Sequence, residues 1–358
     1  MVHLPQTAIQ KMLGCRYPII QTAMGWVATP ELVAGTSNAG GFGFLAAGVM
    51  RADEVGPAIE KVRSMTDKPF GVNFHMFQPG AEQIVETLIE MKVAAVSFGR
   101  GPDKKAIARF KDAGIRCIPT VGAVKHAKKM VELGVDMVVV QGGEGGGHTG
   151  SVSSSILLPQ VLDAVQVPVV AAGGFGDGRG LAAALAYGAQ GIAMGTRFLM
   201  TQESPVPPQT KERYVKASVD DIFVTSKLDG LPQRMIRNAF TARLEKAGAL
   251  SMWTNALSAA WRMKQLTGAS TGDMIKSARG MMGHGSDSFA QALMGATAPV
   301  FIQRATVEGK PDEGVMATGQ VAGRLTDLPS CEELISRIVK EAEDALDKLI
   351  KLVETPAN

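Results

Sequence analysis

A histidine closes the run Gln141-Gly142-Gly143-Glu144-Gly145-Gly146-Gly147-His148-Thr149-Gly150, in which six of ten residues are glycine. Glycine loses more conformational freedom on folding than any other residue, so such a run is costly unless backbone must pass close to a ligand. An imidazole carried there, with an ordinary pKa of about 6.5, both gives and takes a proton near neutral pH. His148 is therefore the candidate acid–base residue. Two more glycine turns follow, at Ala172-Gly173-Gly174-Phe175-Gly176-Asp177-Gly178 and at Met194-Gly195-Thr196-Arg197. Each can aim bare backbone N–H groups at a phosphate, and the second adds a hydroxyl. No GxGxxG with a downstream acidic residue follows the first strand, so one phosphate, as in FMN, suits the turns better than a dinucleotide. Gln21-Thr22-Ala23-Met24-Gly25 and Gly71-Val72-Asn73 end two predicted strands and can offer backbone and amide groups to a ring edge; from spacing alone both are only strand ends.

The remaining histidines offer less. His3 is terminal, His126 lies among lysines in a predicted helix, and His284 sits in a later helical region. His75 directly follows a predicted strand and is a weak substrate-side candidate. No cluster has metal-ligand spacing, and neither a GxSxG elbow nor a Cys–His pairing suggests a nucleophile.

The elements that must carry these loops alternate along the first two hundred residues. Apolar, β-branched runs at 18–24, 42–46, 70–74, 95–98, 116–121, 137–141, 167–172 and 191–194 read as eight strands. Helical patterns at 30–39, 52–65, 81–91, 104–113, 124–133, 157–165 and 178–187 separate them, several closed by a glycine cap. Strands this apolar are buried on both faces, which predicts an α/β fold of the (β/α)8 TIM-barrel type, with an open doubly wound sheet as the alternative. Barrel enzymes place their chemistry at the C-terminal strand ends, with a phosphate site after the seventh and eighth strands, where the two glycine turns fall. Residues 206–298 lose this rhythm and read as an α-helical insertion. A helix at 332–353 then closes the barrel, giving a barrel of 1–205 and 299–358.

Bulk properties agree with small-molecule chemistry. The 358 residues carry 37 basic and 34 acidic side chains, too balanced to predict a nucleic-acid face. Cys15, Cys117 and Cys331 are too scattered for a disulfide framework or metal knuckle. The N-terminus lacks a secretory signal pattern, and no apolar run approaches the roughly 20 residues of a spanning helix, so no membrane partner and a cytoplasmic location are expected. A homodimer is allowed by these properties.

The segments PIIQTAMGWVA from Pro18, PFGVN ending at Asn73, QGGEGGGHTG, AAGGFGDGRG and MGTRFL from Met194, in this order, resemble the nitronate monooxygenase (2-nitropropane dioxygenase-like) flavoprotein superfamily over nearly the whole chain. The resemblance implies FMN at the barrel's C-terminal face and makes 206–298 a helical insertion that covers the substrate. By position it assigns FMN contacts to Met24, Gly25, Asn73, Gln141, Gly146, Gly147, Gly173, Gly174, Gly195 and Thr196, and catalysis to His148. Thr22, Ala23 and Gln320, from the segment ATGQVAG, are weaker candidates for the same pocket. The superfamily divides among nitronate oxidation by O2, enoyl-thioester reduction with NADH or NADPH, and quinone reduction. The opening with Trp26 is similar to the flavin-dependent enoyl-acyl-carrier-protein reductases. QGGEGGGHTG, GGFGDGRGLAAALAYGA, and ATGQVAG followed by DLPSCEELI resemble the branch that reduces an unsaturated indane-carboxyl-CoA during steroid ring degradation. The family's usual Glu-Ala-Gly-Gly-His is Glu144-Gly145-Gly146-Gly147-His148 here, which favours that branch over nitronate oxidation. An α,β-unsaturated acyl-CoA is thus the expected substrate. Arg234 and Arg237 are weak candidates for its phosphates, beside the plainer reading of a solvated helix face.

Overall fold

The computed structural model describes residues 3–76, 78–98, 104–247, 261, 272, 293 and 298–354. They form two compact units: Met1–Glu144, Gly150–Ser204 and Asp327–Asn358 make the first, and Gly145–Thr149 with Pro205–Thr326 make the second.

The first unit is a closed barrel of eight parallel strands, β1 (Ile19–Gln21), β2 (Phe42–Ala46), β3 (Gly71–Asn73), β4 (Ala95–Phe98), β5 (Arg116–Val121), β6 (Val138–Gln141), β8 (Val169–Ala172) and β9 (Ile192–Met194), with the short β7 (Gly147–His148) lying outside it. Pairing of β1 with β9 in the register Gln21↔Met194 closes the ring and excludes the open sheet. The barrel strands are buried almost throughout, as their apolar runs require. Ile20, Phe42, Phe44, Ile118, Met137, Val139 and Val170 fill the interior.

A helix absent from the sequence reading, α1 (Ala8–Leu13), plugs the N-terminal end with Ile9 and Leu13, which join that core. The Gln190 side chain anchors it by accepting from the Ala8 N–H at 2.9 Å. The seven expected helices all form, from α2 (Pro30–Asn38) through α3 (Ala52–Arg63), α4 (Ala81–Glu90), α5 (Lys104–Asp112), α6 (Val124–Glu132) and α7 (Ser154–Leu162) to α8 (Gly178–Tyr187). The sixth helix is shifted: α7 spans Ser154–Leu162 rather than 157–165, which moves Pro159 from the first turn into the helix interior, where it forfeits one backbone donor.

After the short α9 (Thr196–Leu199), the chain leaves the barrel and returns as the long helix Cys331–Glu354. That helix packs on α8 and α2, where the eighth helix of a barrel belongs. Contact with α8 is intimate: a Cβ on Gly178 would lie 2.4 Å from the Ile338 carbonyl oxygen, and Glu341 accepts the Gly178 N–H at 2.8 Å. The returning chain is pinned by Arg197, 2% exposed, which donates to Asp327 Oδ1 at 2.8 Å and to the Met200 carbonyl at 2.7 Å. Burial pulls its guanidinium below the usual range, and Asp327 acts against that pull.

In the second unit, α10 (Pro208–Val215), α11 (Ala239–Glu245) and α12 (Ala298–Thr306) surround a core containing Tyr214, Met235, Phe240, Phe301 and Met316. The wholly helical reading of 206–298 is corrected here: β10 (Ile222–Thr225) and β11 (Gln233–Ile236) pair antiparallel, and β11 pairs with β7. Four-residue strands are too short to show a period against their helical flanks, so pairing partners decide them. Most of 248–297, with Trp253 and His284, lies outside the described residues. Among the described residues no helix is long and apolar enough to cross a membrane.

Candidate active site

Parallel strands bring their C-terminal ends to one rim, and the register shows which loops start side by side. Gln141 on β6 stands opposite Ala172 on β8, Ala172 opposite Ala193 on β9, and Met194 opposite Gln21 on β1. The loops beginning at 142, 173, 195 and 22 therefore leave four successive strands, spaced about 4.8 Å apart. Asn73 ends β3 on the same rim, where its side-chain amide donates to the Ser97 carbonyl at 3.0 Å.

Local geometry explains the glycines of this rim. Gly173 and Gly174 take φ of +94° and +84°, a left-handed conformation that costs other L-residues about 1–2 kcal/mol each. A Cβ on Gly173 would stand 3.0 Å from the nitrogen and oxygen of Gly142. At Gly195 it would meet Thr22 Oγ1 at 3.1 Å and Met24 Sδ at 3.3 Å. The bends at 24–28 are tied by Val27 N–H to the Met24 carbonyl at 2.7 Å, with Gly25 at φ +35°. Ala23 packs against the barrel core. Thr196 opens α9, immediately after Gly195. Side chains are thus excluded from adjoining turns, leaving bare backbone at the strand ends. That cradle fits the phosphate end of FMN.

Glu144 secures the start of the glycine run. Its carboxylate accepts the Ser154 N–H at 2.9 Å and the Ser154 hydroxyl at 2.9 Å, at the first residue of α7. Gly142 passes beneath this pair so closely that a Cβ would sit 2.1 Å from Ser154 Oγ. Gln21, which ends β1 on the same rim, is fully buried; it donates to the Phe44 carbonyl at 3.2 Å, while its Oε1 has no partner among the described residues. Burial of an amide is invisible to spacing, and no sequence signal singles it out.

The second unit holds the other part of the expected set. Gly146, Gly147 and His148 belong to it, as do Arg234, Arg237 and Gln320. A Cβ on Gly146 would lie 2.5 Å from the backbone of Thr318, so ATGQVAG and the glycine run do meet, backbone to backbone. Gly147, at φ +64°, pairs with Arg234 across β7 and β11. His148 Nε2 lies 2.7 Å from Oδ2 of Asp229, a residue absent from the sequence reading. Asp229 is 3% exposed and also accepts from Gln233 Nε2 at 2.7 Å and from the Leu231 N–H at 3.0 Å. Burial raises the Asp229 carboxyl, but the bond and charge of His148, the Leu231 N–H and the Gln233 amide outweigh it and hold the group below the usual carboxylate range. The arrangement can accept and release a proton at a partly exposed imidazole.

The weaker candidates separate. Arg237 stacks over the Phe223 ring at 4.2 Å, and Gln320 begins a short 3-10 helix, Gln320–Arg324. Arg234 and Arg237 stand on or beside strand β11, not on the helix face of the plainer reading. His75 stays in the first unit, its ring against Gly48, where a Cβ would come within 2.8 Å. His126 is exposed on α6, and His3 reaches Glu343 at 3.3 Å. Among the described residues, no group of three or more His, Cys, Asp or Glu is placed to hold a metal.

A family model described as nitronate monooxygenase matches residues 6–86 and 76–341. The (3aS,4S,5R,7aS)-5-hydroxy-7a-methyl-1-oxo-octahydro-1H-indene-4-carboxyl-CoA dehydrogenase of Rhodococcus jostii is 47% identical, covering 96% of this chain and 98% of that protein. A probable nitronate monooxygenase of Staphylococcus saprophyticus is 33% identical, over 67% of this chain and 81% of its own length. Among solved structures, FabK of Thermotoga maritima is similar with a TM-score of 0.79 at 34% identity, covering 98% of this chain and 100% of FabK.

Proposed function

This chain belongs to the nitronate monooxygenase family of flavin-dependent oxidoreductases, and from that membership we propose that it binds FMN and oxidises or reduces a bulky polycyclic acyl-CoA, with His148 moving the proton. The carrying observation for the substrate class is the 47% identity, over nearly both full lengths, to a dehydrogenase named for an indene-4-carboxyl-CoA. Dehydrogenation at the α,β positions of an acyl-CoA and reduction of an α,β-unsaturated one with electrons from NADH or NADPH are the same bond change in opposite directions, so one flavin site serves both. The relative's name favours the dehydrogenase direction.

FMN, when bound, supplies the two-electron hydride acceptor or donor. Gly173, Gly174, Gly195 and Thr196 would hold its phosphate, while Met24, Gly25, Asn73 and Gln141 would line its ring. His148 would take the substrate's α-carbon proton as hydride leaves the β-carbon, and in the reverse direction return a proton to the α-carbon. The exposed Arg237, its guanidinium held on Phe223, is available to a CoA phosphate.

The test is an anaerobic half-reaction. FMN-loaded protein is mixed with a hydroxylated indane-carboxyl-CoA, with NADH and with NADPH in turn, and loss of the oxidised flavin's visible absorbance is followed. Reduced protein is then offered an unsaturated acyl-CoA, a quinone, and air with a nitronate. Rapid flavin reduction by the hydroxyacyl-CoA, or rapid reoxidation by the enoyl-CoA, is expected. Turnover with nitronate and air alone would overturn the acyl-CoA reading.

A further inference from the structure

Three side chains of the second unit meet around one oxygen. Asp229 Oδ2 lies 2.7 Å from His148 Nε2 and 2.7 Å from Gln233 Nε2. The pairing of β7 with β11 sets Gln233 directly opposite His148, while the Leu231 N–H holds the other carboxylate oxygen at 3.0 Å. Asp229 is buried and the His148 side chain is 56% exposed, so the carboxylate faces the ring from the protein side.

This geometry selects a tautomer. Two lone pairs cannot sit 2.7 Å apart without a proton between them, and an ionised carboxylate has none to give. Nε2 therefore carries it. Gln233 Nε2, also 3.3 Å from His148 Nε2, is a donor facing a donor there and spends its hydrogen on Asp229. In the neutral ring the lone pair is left on Nδ1.

We infer that Asp229, held by Gln233 and the Leu231 N–H, is the positioning residue that keeps His148 in its Nε2–H tautomer, so that the proton exchanged with substrate passes through Nδ1. The inference rests on the reading of His148 as the acid–base residue. In the dehydrogenase direction the substrate Cα–H bond breaks and its proton goes to the Nδ1 lone pair, while the Cβ–H electron pair would leave as hydride for the flavin and a Cα=Cβ double bond forms. The imidazolium so formed stays paired with the Asp229 carboxylate. In the opposite direction the same nitrogen returns the proton.

The experiment reads the ring itself. FMN-loaded protein labelled with 15N-histidine is examined by long-range 1H–15N correlation at alkaline pH, where the neutral ring distinguishes its protonated from its lone-pair nitrogen; His148→Gln identifies the signal. Wild type should show Nε2–H. Asp229→Asn turns an amide N–H toward the ring, so the proton should move to Nδ1 and kcat should fall roughly 10²- to 10⁴-fold with KM little changed. Asp229→Glu should recover part of both. A mixed or Nδ1–H tautomer in the wild type, a measurement that needs no folded variant, would overturn the inference, as would Asp229→Asn with unchanged tautomer and kcat. His148→Ala with unchanged turnover would instead overturn the acid–base reading, leaving the tautomer result standing.

Discussion

Replacing Gly173 with alanine measures the crowding on which the turn after β8 depends. Gly173 sits at φ +94°, and its new Cβ would lie 3.0 Å from Gly142 N and O and 3.2 Å from Ser154 Oγ. Two costs add. The left-handed conformation costs a side chain about 1–2 kcal/mol, and overpacking against backbone that cannot swing aside costs about 1–3 kcal/mol more. Gly114 separates them, because at φ +77° its Cβ would meet nothing within 4 Å. Gly114→Ala should therefore lose only the first part, and Gly173→Ala a total of about 2–5 kcal/mol. Urea midpoints at constant slope give both values, measured on flavin-free protein so that bound FMN does not add its own stabilisation. FMN retention is then measured by dialysis; displacing the turn by 1.4 kcal/mol of binding energy weakens retention about tenfold, and Gly114→Ala should leave it unchanged. Equal stability and equal retention in the two variants would refute the packing argument.

Arg197→Ala should destabilise the protein by about 2–4 kcal/mol, since it strands part of Asp327 and empties a buried site; Arg197→Met should cost less, because Asp327 keeps Arg337 at 2.6 Å, and urea midpoints decide. The Asp229 carboxyl is held below its ordinary value, so its stabilisation is complete above about pH 4 and is lost as pH falls through the folded value. Asp229→Asn should flatten that acid limb of the stability curve, and a limb identical to wild type would refute it. Burial pushes the thiols of Cys15 to about 11 and of Cys117 and Cys331 to about 12. At about pH 8 the buried Cys117 and Cys331 should react with a thiol reagent no faster than the protein unfolds, and the half-buried Cys15 only slowly.

Much of the barrel is legible in one dimension. The strands at Phe42–Ala46, Ala95–Phe98 and Arg116–Val121 coincide with their apolar runs, because burial on both faces demands continuous hydrophobicity and leaves a local mark. Glycine caps mark helix ends in the same way, as at Gly188 with φ +102°. The glycine turns at 173 and 195 were legible because the fold's own rule places a phosphate there. By contrast, α1 is a six-residue amphipathic piece with nothing local to tell a barrel plug from a surface turn. The strands β10 and β11 were hidden for a related reason: a short strand takes its identity from the partner it pairs with.

His148 shows where that boundary falls. Its glycine setting and proton chemistry could be read from the chain alone, since both depend on residue type and near neighbours. Its partner could not. Asp229 lies 81 residues away in a turn that reads only as a loop, and Gln233 four residues further is an unremarked amide. Hydrophobic periodicity records which face of an element is buried, but it carries no information about which distant polar groups will share a hydrogen bond. The sequence by itself thus determined a barrel, the glycine turns at its strand ends and one candidate acid–base residue. Tertiary structure alone decided closure through β1 and β9, the seat of the last helix beside α8, and the nitrogen of His148 that Asp229 occupies. Each of these is a contact between residues far apart in sequence, set by backbone pairing and packing that exist only once the chain has folded.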